Sequence, residues 1–123
     1  MFKSLVSSST ALTGTTEKLV DTLTVPAGVS KIVGVQAHAG GGPGITTLEN
    51  TTGKLRIRNK SRGDEYEFLI HGLAVLTSGT APIPAPIEPC DIPCGPTDQI
   101  EGYITMDMAQ TVANTGRFRL IFA

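Results

Sequence analysis

The cleanest pattern along the chain is an alternation of period two. Over residues 54–59, Leu55 and Ile57 face one way and Lys54, Arg56 and Arg58 the other; over 65–70, Tyr66, Phe68 and Ile70 oppose Glu65 and Glu67. A turn through residues 60–63 joins these runs as a hairpin. It sets Arg58 across from Glu65 and Arg56 across from Glu67, cross-strand pairs worth a few tenths to about 1 kcal/mol each. Upstream, residues 18–25 read as a strand with Leu19, Asp21, Leu23 and Val25 on one face. Pro26, Ala27 and Gly28 then turn the chain into a longer strand over 30–39, with Val33, Val35, Ala37 and Ala39 sharing a face. Residues 73–77, 100–106 and 117–122 supply further short strands, the last pointing Phe118, Leu120 and Phe122 inward.

Between these runs the breakers are strong. The glycine-rich run 40–44 ends the second strand, and six of the eight prolines fall within residues 80–96. Proline lacks the N–H that a ladder needs, so 80–96 reads as an extended, polyproline-like crossing loop and not as a central strand. Residues 1–17 are Ser/Thr-rich without periodicity and read as an N-terminal arm too polar to bury much surface alone. Residues 108–113 are long enough for one helical turn, stopped by Asn114 and Gly116. Seven or so short strands punctuated by turns predict an all-β chain, with a single β-sandwich domain over 18–123. Two sheets with long crossing connections favour a jelly roll over an immunoglobulin-like sandwich.

Composition narrows the function classes. The 123 residues are 40% hydrophobic and 17% charged, enough apolar material for one core and too little charge for a disordered chain. A net charge of −1 argues against a general nucleic-acid binder. No run approaches the roughly 20 apolar residues of a membrane span. Leu5 and Val6, followed at once by serines, are too short for the apolar stretch of a secretory signal. Tryptophan is absent and aromatics are 5%, unusual for an enzyme cleft or a sugar platform.

Several local patterns invite chemistry, and each has a plainer reading. Cys90 and Cys94 suit a small disulfide, a metal clip or two free thiols. A zinc site would need His38 and His71 to complete it, and neither stands at ligand spacing to anything. Arg62, Gly63 and Asp64 form an RGD tripeptide at the hairpin tip, where an adhesion ligand would be displayed but where Gly and Asp are also ordinary turn residues. The 40–44 glycines lack the lysine and helix of a phosphate cradle. Asn50 and Asn59 begin glycosylation sequons that matter only in a secreted eukaryotic chain. Asp64, Glu65 and Glu67 face arginines, and Asp98, Glu101 and Asp107 have no nearby histidine. No Gly-x-Ser-x-Gly elbow occurs. The expectation is a protein without catalytic residues, cofactor or metal. The basic stripe Lys54, Arg56, Arg58, Lys60 and Arg62 has no interleaved aromatics, so it reads as an ion-paired face or a subunit contact.

Residues 21–35, Asp21-Thr22-Leu23-Thr24-Val25-Pro26-Ala27-Gly28-Val29-Ser30-Lys31-Ile32-Val33-Gly34-Val35, resemble the opening strands of small viral β-barrel proteins. These are single jelly-roll capsid subunits and phage head decoration (cement) proteins. The plan of polar arm, Gly-rich loop, Pro-rich crossing loop and terminal strand is similar too. The resemblance implies a virion structural protein, homo-oligomeric (a homotrimer by analogy) and in contact with other capsid proteins. Capsid subunits that package RNA carry a basic arm, whereas residues 1–17 hold only Lys3, offset by Glu17, which favours an outer-shell or decoration role without direct nucleic-acid contact. Under that reading the subunit contacts fall to Leu5 and Val6 in the arm, to Ile83, Ile87 and Ile92 in the crossing loop, and to Arg56 and Arg58 for register. The plainer reading is that the apolar five cap their own barrel. The alternative function is a carbohydrate- or receptor-binding β-sandwich module, which would need exposed aromatics beyond Tyr66, Tyr103 and four Phe. A cupin-like enzyme would need more histidines than two.

Overall fold

The predicted hairpin is present in register. In the computed structural model, β5 (Thr51–Asn59) pairs antiparallel with β6 (Glu65–Gly72), with Arg56 opposite Glu67 and Arg58 opposite Glu65. The structure describes residues 2–12, 14–41, 51–72, 86–107 and 114–123. Among them lie seven further strands and no helix: β1 (Lys3–Val6), β2 (Thr10–Leu12), β3 (Lys18–Thr24), β4 (Lys31–Gly41), β7 (Glu88–Pro93), β8 (Gln99–Met106) and β9 (Asn114–Phe122). The strand expected at 73–77, the helical turn at 108–113, Ile83 and Asn50 lie outside the described residues.

The strands pair as nested hairpins. β5 with β6 is the innermost pair, β4 with β7 encloses it, β3 with β8 follows, and β1 and β2 with β9 close the outside, all antiparallel. Two further antiparallel pairings, β4 with β9 and β5 with β8, roll this long hairpin into two sheets of order β1-β9-β4-β7 and β3-β8-β5-β6. With β1 and β2 counted as one interrupted strand, this is the two-Greek-key winding of a jelly roll, the topology favoured from the sequence. The sheets touch edgewise at one parallel pair, Ala39 with Gly72.

Between the sheets lies a single core. Ile32, Val35, Phe118, Leu120 and Phe122 from one sheet meet Leu55, Ile57, Ile100, Ile104 and Met106 from the other, all essentially inaccessible to water. Each such side chain contributes about 1.5–3 kcal/mol of burial. The layers close tightly over Gly102 of β8, where the Phe118 ring occupies the space that an added Cβ would take.

Four features differ from the expectation. In β3 the ladder shifts between Leu19 and Asp21, so Val20 turns into the core and Leu19 is left exposed, the reverse of a strict alternation. In β4 a shift between Ile32 and Gly34 puts Ile32 and Val35 inside, with Val33 half-buried. The polar arm is not without strand: β1 and β2 add to β9, because Leu5 and Leu12 pack on the core and backbone pairing covers the edge of β9. The Pro-rich loop also contributes a strand. β7 pairs with β4 alone and so lies on an edge, where Pro89 and Pro93 cost least.

Candidate functional site

The outer face of the β3-β8-β5-β6 sheet carries an ion-pair ladder built by alternation. Arg56 and Arg58 point outward, alternating with the buried Leu55, Ile57 and Asn59, and β8 brings Tyr103 opposite Arg56 and Glu101 opposite Arg58. Of the two cross-strand pairs expected from the sequence, Arg58 with Glu65 forms directly across the ladder, while Arg56 reaches diagonally to Glu65 and not to Glu67. Arg56 donates from Nε and Nη2 to Glu17 at 3.1 and 2.6 Å and from Nη1 to Glu65 at 2.8 Å. Its guanidinium lies 4.3 Å from the centre of the Tyr103 ring. Arg58 reaches Glu65 at 3.5 Å and Glu101 at 3.0 Å, while the Tyr103 hydroxyl donates to Glu101 at 3.0 Å. Glu67 stands opposite Arg56 in the ladder, is exposed, and has no ion-pair partner among the described residues.

These contacts set the charge states. The Arg56 hydrogen bond holds the Glu17 carboxyl below its ordinary range. Burial pushes Glu101 up, yet the bonds from Tyr103 and Arg58 outweigh it and the net shift is downward. Burial, followed by the bond to Glu101, raises the Tyr103 phenol. Arg56 itself is raised by its bond to Glu17. All these groups are therefore charged or protonated in the sense that maintains the ladder near neutral pH.

A second cluster fixes the hairpin tip. Asp98 accepts from Asn59 Nδ2 at 3.0 Å, from the Gly95 N–H at 2.8 Å and from Arg62 Nε at 3.1 Å. The Asn59 bond is the main reason the Asp98 carboxyl lies below its ordinary range. Gly63 has φ +85°, a left-handed conformation that explains the glycine of the Arg62-Gly63-Asp64 tripeptide by turn geometry. Arg62 is bound back against the turn before β8, while Asp64 is exposed.

The arm is tied down by two residues that sequence reasoning passed over. The buried Ser7 donates its N–H to the Phe118 carbonyl at 2.8 Å, and its Oγ accepts from the Phe118 N–H at 2.8 Å. Asp21, freed by the β3 bulge, accepts from the Ser8 N–H at 2.9 Å, which is the main cause of its lowered pKa.

The apolar residues singled out from the sequence separate. Ile92 is 4% exposed and belongs to the core of its own chain, so it is corrected from a contact residue to a core residue; its register opposite Ile32 turns it inward. Leu5 packs partly on the core, whereas Val6 and Ile87 are exposed. Three apolar residues missed from the sequence are exposed as well: Phe2 at 72%, Leu69 at 81%, and Leu19. Leu69 was legible, since it shares parity with Glu65 and Glu67. Of the readings open for the two cysteines, the structure has Cys90 and Cys94 as free thiols. Four residues of extended chain span roughly 13 Å, well beyond the about 4.4–6.8 Å between Cα atoms that a disulfide bridges. Burial raises both thiols above their ordinary pKa.

Among the described residues no group of three or more His, Cys, Asp and Glu is placed to hold a metal ion. Of the aromatics, Tyr103 lies under Arg56, Tyr66 and Phe68 pack on the core, and Phe118 and Phe122 are buried. A shallow recess lined by Leu12, Gly14, Thr16, Glu17 and Lys18 has its charged members engaged, Glu17 by Arg56 and Lys18 by the Ala11 carbonyl at 3.0 Å.

No protein-family model matches the chain, and no curated protein matches it. Among solved structures, it is similar to a chain in the structure of infectious bursal disease virus, Gx strain, at 11% identity and a TM-score of 0.48. The match covers 99% of this chain and 32% of that one, so this chain spans about a third of its length.

Proposed function

We propose that the chain is a non-enzymatic virion structural protein, a capsid or head decoration (cement) subunit that stabilises a shell through contacts with copies of itself and with other capsid proteins. The observation that carries this reading is the jelly-roll winding with large apolar side chains on both outer faces: Phe2, Val6 and Ile87 on one, Leu19 and Leu69 on the other. A core accounts for inward residues only, and outward apolar residues of this size gain from being covered. The mechanism is adhesive, with burial supplying affinity and fixed charges such as the Arg56 ladder supplying register.

Electron microscopy of the purified full chain tests this reading and divides its two forms. Closed shells or rings from the chain alone support a shell-forming subunit. Discrete small oligomers that bind only to a pre-formed shell support a decorating one. A chain that neither associates with itself nor binds a shell overturns the reading.

A further inference from the structure

The two outer faces differ in charge, and the difference is complementary. On β9, Arg117 and Arg119 alternate outward between buried Phe118 and Leu120, and neither has an ion-pair partner among the described residues. Val6 stands opposite Arg119 in the ladder. Farther along this face, Ile87 and Ile121 close over Gly34, within 3.0 and 3.2 Å of where its Cβ would be, so the arginines border an apolar band. Asp91, on the edge strand β7, is engaged by Lys31 at 3.8 Å. The opposite face carries both signs and offers an unpaired carboxylate. Arg56 and Arg58 are saturated by Glu17, Glu65 and Glu101, which leaves Glu67 as the carboxylate without a partner, two residues from the exposed Leu69. Lys54, opposite Leu69, is the other cation of that face.

We propose that the chain associates head to tail with a second copy of itself: the Val6, Arg117 and Arg119 surface of one copy docks on the Glu67 and Leu69 surface of the next. This deepens the proposed function and rests on it. Because the two surfaces lie on opposite sides of the sandwich, each contact leaves one surface of either kind free. Such a heterologous contact does not stop at a two-fold dimer; it makes a ring where its rotation closes and an open filament where it does not. Arginine over a carboxylate sets the register, and the apolar neighbours exclude water from the pair.

A charge-reversal exchange on the full chain tests this, read by sedimentation velocity over a range of concentrations, with circular dichroism confirming that each variant is folded. Arg119→Glu places like charges against Glu67 of the next copy, and Glu67→Arg places like charges against Arg119. Each variant alone is expected to associate at least roughly tenfold more weakly than the natural chain. An equimolar mixture of the two is expected to recover association, because each supplies the surface that the other lacks. A folding defect would not be repaired by mixing. If both variants associate like the natural chain, this interface is wrong while self-association stands. If the natural chain does not associate at any concentration, the self-association reading falls and the interface with it.

Discussion

At the scale of single residues the account turns on groups that the fold leaves no freedom. Gly102 admits no side chain because Phe118 occupies the space of its Cβ. Gly102→Ala is therefore expected to destabilise the chain by about 1–3 kcal/mol or more, read by urea denaturation. Ser7→Ala removes the acceptor of the Phe118 N–H, and a buried donor left unsatisfied costs about 1–3 kcal/mol. A stability within a few tenths of a kcal/mol of the natural chain would show that the arm is not held there. Glu17, Asp21, Asp98 and Glu101 are all lowered by hydrogen bonds made in the folded state. Their stabilisation is present above the ordinary carboxylate range and is lost as pH falls through the folded values. Thermal midpoints should thus be flat from neutral pH to about pH 5 and decline below about pH 4. Which residues would meet was only partly visible in the chain. The pairing of Arg58 with Glu65 was apparent from alternation, whereas Glu17, just before β3, and Tyr103, on β8, join Arg56 from elsewhere in the chain, and pairings so distant in sequence leave no local pattern.

At the scale of elements, period two was legible wherever the strand is regular and failed where it bulges. β5 and β9 present the expected residues to the core, and Tyr66 and Phe68 of β6 pack against it. In β3 and β4 one register shift each inverts the face of the residues beside it, so Leu19 is outside and Val20 inside. A bulge is a property of the pairing and not of either strand alone, which is why the run 18–25 gave no sign of it. The same holds for β1, β2 and β7, short polar or proline-bearing segments that become strands because a neighbour offers an edge. Deleting residues 1–17 is consequently not a neutral removal of a tail. It strips Leu12 from the core and uncovers the edge of β9. The expected loss exceeds the about 2–5 kcal/mol of a buried leucine truncation, measured as the shift in denaturation free energy. A truncated chain as stable as the full one would contradict the placement of β1 and β2.

For the whole molecule, the nested pairing makes one long hairpin rolled on itself, and its consequence is two broad outer faces back to back. The all-β class and the jelly-roll preference followed from strand number, turns and crossing loops. What lies on the faces followed less well, because sequence reasoning placed adhesion in the arm and the Pro-rich loop. The structure puts Ile92 in the core, ties the arm to Phe118 through Ser7 and exposes Leu69 in the middle of a regular strand, while Val6 of the arm and Ile87 of the Pro-rich loop are exposed as well. Adhesion on this account is a property of sheet faces. The central claim is self-association, and light scattering of the full chain on a sizing column, over a hundredfold range of loading concentration, tests it most directly. The account predicts a molar mass that rises with concentration above that of the single chain. A molar mass of one chain throughout that range would contradict it.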